Sequence, residues 1–170
     1  MRPNPHTTLH PQFSSHGADA RGWEEVERRL EEAELFWVST VRPGGRPHVT
    51  PVVAVWHRGA LYFSTGPEER KALNLADNPA CVLTTGCNQW SSGFDVVVEG
   101  RARRVGDDAH LGGIADAYRE KYGQPWSFDV SEGQFLGEGG KSIVFEVRPV
   151  TVFGFGKGEP FSQTRYRFDA

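Results

Sequence analysis

The stretch Tyr62-Phe63-Ser64-Thr65-Gly66-Pro67-Glu68-Glu69-Arg70-Lys71-Ala72-Leu73-Asn74-Leu75 combines residue types and spacings that could do chemistry. A strand ends in two hydroxyls, turns at a glycine and enters a helix. Helix N-termini present free amide protons and partial positive charge, which suits an anion. Glu68 and Glu69 match that dipole unaided. Arg70 and Lys71 oppose it, and a negative group nearby would rationalise them. Asn74 lies one turn further on, on the same face. Ser64, Thr65, Arg70, Lys71 and Asn74 fall within eleven residues and could converge on one phosphate. On spacing alone, the same residues serve equally well as a capped, solvated helix face.

Other motifs fail on inspection. Gly140-Lys141-Ser142 resembles the end of a phosphate-binding P-loop, but Phe135 occupies the position of its first glycine. The segment also runs into an expected strand, Ile143–Val147, where that loop needs a helix. The glycines of Gly154-Phe155-Gly156-Lys157-Gly158 read as a turn, because no helix can start at Glu159-Pro160. Of the histidines His6, His10, His16, His48, His57 and His110, none pairs with Cys81 or Cys87 at metal-ligand spacing. No metal site is expected. Gly-x-Ser-x-Gly is missing, so a hydrolase nucleophile is not visible, and no catalytic residue is assigned.

The elements that must position the 62–75 stretch are mostly strands. Residues 1–20 lack hydrophobic periodicity and read as a mobile, dispensable tail. Trp23–Leu35 carries Val26, Leu30 and Ala33 at helical spacing. Leu35–Val41, His48–Trp56 and Ala60–Thr65 follow as strands joined by the turns Pro43-Gly44-Gly45 and His57-Arg58-Gly59. A helix is expected over Glu68–Asp77, with Pro67 in its first turn and Asn78-Pro79 ending it. Ala80–Thr85 and Asp95–Val105 are further strands. A helix over Asp107–Tyr122 places Leu111, Ile114, Ala115, Tyr118 and Tyr122 on one face. A Gly- and Ser-rich loop, Gly123–Gly140, leads to the strands Lys141–Val147 and Thr151–Phe155, separated at Pro149, and then to a tail. Antiparallel strands with short turns and no βαβ alternation point to a closed or nearly closed barrel.

A chain of 170 residues buries one core, so residues 21–170 are expected as a single domain. The net charge of −3 provides no basic stripe for nucleic acid or an anionic membrane. The longest apolar runs, such as Val52–Trp56, are strand-sized, and the N-terminus lacks a secretory apolar stretch. With two cysteines and no disulfide framework, the cytoplasm is the expected compartment.

The segment Leu35–Val105 resembles the pyridoxamine 5′-phosphate oxidase-like superfamily of flavin- and deazaflavin-dependent split barrels. The resemblance rests on Val38-Ser39-Thr40, His48-Val49-Thr50-Pro51-Val52, Leu61-Tyr62-Phe63-Ser64-Thr65 and Arg70-Lys71-Ala72-Leu73-Asn74-Leu75. Asp77-Asn78-Pro79 and Asp95-Val96-Val97-Val98-Glu99-Gly100 add to it. The ending Gln163-Thr164-Arg165-Tyr166-Arg167-Phe168 is similar to that of many deazaflavin-type members. The resemblance implies a mainly antiparallel split β-barrel that binds FMN or F420. It implies that His48, Thr50, Pro51 and Val52 lie along the cofactor ring, and that Ser64, Thr65, Arg70, Lys71 and Asn74 hold the phosphate. It also implies a homodimer with the cofactor at the interface and an oxidoreductase acting on a small organic substrate. The ending and the arginine-rich composition lean toward F420. The basic C-terminal stretch that grips pyridoxamine phosphate in the namesake enzymes is missing, so that substrate is not expected. The alternative is a protein of the same fold that binds flavin or haem without turnover. Trp37, Trp56 and Trp90 could stack on a ring or fill a dimer seam, but read best as core.

Overall fold

Period-two alternation builds most of the chain. In the strand Phe94–Val105, for example, Phe94, Val96, Val98, Ala102 and Val105 are buried while Glu99, Arg101 and Arg103 reach solvent. The computed structural model describes residues 4–169. The chain runs β1 (His6–Leu9), α1 (Trp23–Glu32), β2 (Phe36–Val41), β3 (Pro47–Val52), β4 (Ala54–His57), β5 (Ala60–Thr65) and α2 (Arg70–Asp77). It continues through β6 (Ala80–Thr85), β7 (Phe94–Val105), α3 (Asp108–Tyr122), β8 (Asp129–Ser131), β9 (Gln134–Gly137), β10 (Gly140–Gly156) and β11 (Ser162–Arg167).

The sheet order is β1-β11-β10-β7-β6-β2-β3, with β5 joining β10 to β4. All these pairings are antiparallel. The chain steps from β3 to β4 through Val53 alone, so the two ends of the sheet meet along the chain rather than along a ladder. The result is a split barrel, mainly β, with three α-helices, as expected.

The spine is β10. It pairs with β7 along most of its length, with β5 through Ile143–Val147, and with β11 through Thr151–Gly156. Pro149 was expected to end a strand here. Instead the strand continues through a register shift between Pro149 and Thr151, where one partner strand gives way to the next. Proline has no amide proton to give, and a bulge between two partners is where that loss is tolerated.

Three other expectations are corrected. His6–Leu9 of the expected tail pairs with β11, His6 opposite Arg167 and Leu9 opposite Thr164; residues 1–3 lie outside the described residues. The C-terminal tail is the strand β11, with Ser162, Thr164 and Tyr166 buried in alternation. The loop Gly123–Gly140 folds into a short 3-10 turn at Gln124–Trp126 and the hairpin β8–β9.

Two cores result. Inside the barrel, Phe36, Val38, Leu61, Phe63, Leu83, Val96, Val98 and Val152 pack beneath Val26 and Leu30 of α1. Outside it, Leu111, Ile114 and Tyr118 of α3 pack on Val55, Tyr62 and Val144. The hairpin closes this second core, with Phe128 and Phe135 stacked at 4.6 Å. The Lys121 ammonium donates to the carbonyls of Ala33, which caps the end of α1, and Ala54, at 2.6 and 3.0 Å. That placement suits the negative end of a helix. Among the described residues, no helix is long and apolar enough to cross a membrane.

Candidate functional site

The strand β5 ends beyond its ladder with β4, which stops at Phe63, with Ser64 and Thr65 opposite Val144 and Ile143 of β10. Gly66 to Glu69 then make a turn, in which the Gly66 carbonyl accepts from the Glu69 amide at 3.1 Å. The helix begins at Arg70, two residues later than expected. Pro67 therefore lies in the turn, and extended Glu69 (φ −67°, ψ 148°) caps the helix.

This start decides which side chains point inward. Lys71, Ala72, Asn74 and Leu75 form the buried face of α2, whereas Arg70 is exposed. Of the two adjacent cations, only Lys71 turns toward the barrel. Asn74 is fully buried, and its Nδ2 donates to Thr40 Oγ1 at 2.9 Å. Thr40 lies opposite His48 in the β2–β3 ladder. The structure thus brings His48, Asn74 and Lys71 to one corner, where α2 rests on β2.

Alternation separates the four residues expected along a cofactor ring. His48, Thr50 and Val52 share the inward face of β3, while exposed Pro51 is on the other face, opposite Trp37. Trp37 is half exposed rather than core. The outer edge of β3 has no partner strand among the described residues.

Buried polar atoms without partners concentrate here. Among the described residues they are His48 Nδ1, Thr50 Oγ1 and Asn74 Oδ1, together with His10 Nδ1 and Ser162 Oγ elsewhere. Three of the five belong to expected site residues. A buried polar atom without a partner is costly, which makes such a cluster a natural place for a ligand. His48 titrates below the ordinary histidine range, first because of burial and then because of the charges of Arg42, Lys71 and Arg70. It is therefore neutral near pH 7, in a field made positive by three cations.

A cleft of about 570 Å³ adjoins this corner. One wall is Ser64, Thr65, Gly66 and Glu69; the other comes from residues 124–128 and 137–142, including Lys141. Sequence reasoning missed Arg42, Lys141 and the role of Glu69. In sequence Lys141 belongs only to an incomplete P-loop motif, and the folding of the 123–140 segment onto α3 carries it to the cleft. The Glu69 carboxylate accepts from the Gly66 amide at 2.9 Å and forms an ion pair with the buried Lys71 ammonium. The hydrogen bond from Lys71 chiefly holds the Glu69 carboxyl below the usual carboxylate range. Among the described residues no three metal-ligating side chains cluster.

The donors fit a phosphate-bearing ring cofactor. The Lys71 ammonium and the Thr65 hydroxyl meet at the Glu69 carboxylate at one end, and the unpartnered atoms of His48 and Thr50 lie along β3. Ser64 is on the opposite face of β5, with Tyr62 toward α3, where it lines the cleft. Glu69, an anion among the phosphate donors, is the one discordant group.

Solved structures with the same fold are diverged in sequence. A candidate 5-nitroimidazole antibiotic resistance protein from Bacteroides thetaiotaomicron superposes with a TM-score of 0.65 at 16% identity, covering 97% of this chain and 92% of its own. An FAD binding protein from Mycobacterium smegmatis gives 0.59 at 19% identity, over 79% and 95%. A heme storage protein from Vibrio cholerae gives 0.58 at 18%, over 74% and 88%. No curated protein sequence matches the chain. The model of the pyridoxamine 5′-phosphate oxidase family matches residues 23–155, which span β2, β3, β5 and α2 and so the whole corner described above. The chain belongs to the pyridoxamine 5′-phosphate oxidase family.

Proposed function

We propose that the protein is an oxidoreductase that binds FMN or F420 at the corner of β3, β5 and α2 and acts on a small organic substrate. The observation that carries this reading is the cluster of unpartnered buried atoms on His48, Thr50 and Asn74 beside the Lys71 ammonium. Lys71, Ser64 and Thr65 hold the phosphate end, with Asn74 fixing α2 against Thr40. Neutral His48 and Thr50 offer hydrogen-bonding atoms toward the ring, and Val52 supplies apolar backing. When bound, the cofactor ring supplies the hydride or electron transfer, and the protein supplies position and electrostatics.

The same reading makes the protein a homodimer with the cofactor at the seam. In support, Pro51, Trp37, Thr84, Val97 and Phe153 lie in one register row across five neighbouring strands, on the face away from the barrel core. It also keeps the chain in the reducing cytoplasm, in keeping with the unpaired Cys81 and Cys87.

A second reading is favoured by the likeness to a heme storage protein: a carrier that binds flavin or haem without turnover. The test is the absorption spectrum of the purified protein with FMN, F420 or haemin, followed by turnover of the reduced cofactor with an electron acceptor. Binding of FMN or F420 with turnover is expected. Haem binding alone would overturn the oxidoreductase, and sedimentation as a monomer of 18.9 kDa would overturn the dimer.

A further inference from the structure

The discordant group at the phosphate corner is Glu69. Its carboxylate takes the Gly66 amide at 2.9 Å and one of the three N–H bonds of Lys71. These are donors that a bound phosphate would use. The Glu69 side chain is about half exposed and belongs to the cap rather than the helix, so no packing forces it into this place. A second observation concerns the space beyond. The cleft that begins at Ser64, Thr65, Gly66 and Glu69 continues to Trp126, Phe128 and Lys141, and its 570 Å³ is far more than one phosphate fills. Its charged lining residues are Glu69, Glu138 and Lys141. Lys71, paired to Glu69, stands beside that lining, with Arg42 and Arg70 further along the corner.

A terminal phosphate monoester carries close to two negative charges at pH 7. A phosphodiester carries one. A dianion placed against Glu69 meets more like-charge repulsion than a monoanion does and competes for the same donors. A monoanion can share Lys71, whose remaining N–H bonds are free of Glu69. Only the diester also has a second arm to occupy the cleft. We infer that Glu69 tunes this site for a cofactor whose phosphate is a diester, with its further extension lying in the cleft toward Lys141, and against a terminal phosphate monoester. This rests on the proposed phosphate site at Lys71 and narrows the choice of cofactor there.

The test is titration of FMN (a monoester), of FAD (a pyrophosphate, each of whose two phosphates is a singly charged diester) and of F420 (a phosphodiester) into wild type, Glu69→Gln and Lys71→Ala. Glutamine keeps an oxygen for the Gly66 amide and removes only the charge, so the turn is preserved. Wild type should hold FAD or F420 at least about tenfold tighter than FMN, and Glu69→Gln should tighten FMN at least about tenfold while changing the diesters less than about threefold. If Lys71→Ala weakens binding but Glu69→Gln moves all three ligands equally or none, the discrimination is wrong and the phosphate site stands. If ligands bind but Lys71→Ala changes nothing, the phosphate site is wrong and both fall. Binding of none of the three to any of these proteins also overturns both.

Discussion

Glu146 of β10 is the most connected buried charge outside the candidate site. Its side chain is 1% exposed, and its carboxylate accepts from Tyr62 Oη at 3.0 Å, Arg103 Nε and Nη2 at 3.1 and 2.6 Å, and Arg148 Nε at 2.9 Å. Burial alone would raise its carboxyl, but the bonds from Arg103, Tyr62 and Arg148 hold it below the usual range. Glu146→Leu removes the charge and every acceptor at similar volume. Breaking a buried pair costs about 3–5 kcal/mol when an uncompensated charge stays buried. Here the surviving partners are not buried, since the side chains of Arg103 and Arg148 are 68% and 56% exposed and rehydrate in place. What loses its acceptor is the Tyr62 hydroxyl, at about 1–3 kcal/mol. His110 Nε2, 3.3 Å away, offers it only a weak alternative. The expected loss is therefore about 2 kcal/mol, or a fall in Tm of about 4–8 °C for a chain of this size. Calorimetry at neutral pH measures it, and Tyr62→Phe added to Glu146→Leu should restore much of the loss by removing the stranded hydroxyl. A Tm within about 1 °C of wild type, or a double variant no more stable than the single one, refutes this reasoning.

At the phosphate corner, Lys71→Ala should weaken cofactor binding about ten- to hundredfold, and exposed Arg70→Ala less than about threefold; equal effects in a titration would mean that α2 does not select between them. Burial pushes the Lys121 ammonium down to about 8, while an unfolded lysine keeps its proton to about 10.4. Between those values the unfolded chain binds the extra proton, so stability rises with pH across that window, and Lys121→Met should flatten the rise. Urea titrations of both proteins across the window check it, and parallel curves would contradict it. Removing residues 1–13 should lower Tm by several degrees and promote aggregation, because it strips β1 from the edge of β11; an unchanged Tm in light scattering and calorimetry runs would show that the strand adds nothing.

Local signals were legible wherever the chain settles its own conformation. β5 and β6 fall on Ala60–Thr65 and Ala80–Thr85, as the alternation and flanking turns indicate. What depended on distant partners was not. The polar His6-Thr7-Thr8 has no apolar face of its own, and its partner β11 lies at the far end of the chain. Pro149 looks like a terminator unless it is known that β5 and β11 divide one side of β10 between them. At the candidate site, spacing puts forward Ser64, Thr65, Arg70, Lys71 and Asn74 together. Separating Lys71 from Arg70 required the true start of α2, because a shift of two residues turns its inner face by more than half a circle.

The pairing of β1 with β11 has a consequence for how the molecule is made. During synthesis β1 leaves the ribosome before the other strands of the described residues, and β11, its partner among them, leaves after the rest, so no ladder holds β1 until β11 has emerged. The barrel must close before its first residues find their place, and β1 becomes a late clasp on an otherwise assembled sheet. Because His6 sits opposite Arg167, the first and last strands of the described residues are neighbours in space. A short linker joining them, with new ends opened at the exposed Gly44-Gly45 turn, would make β1 and β11 a local hairpin. Such a permutant should fold faster than the natural chain while keeping the same barrel.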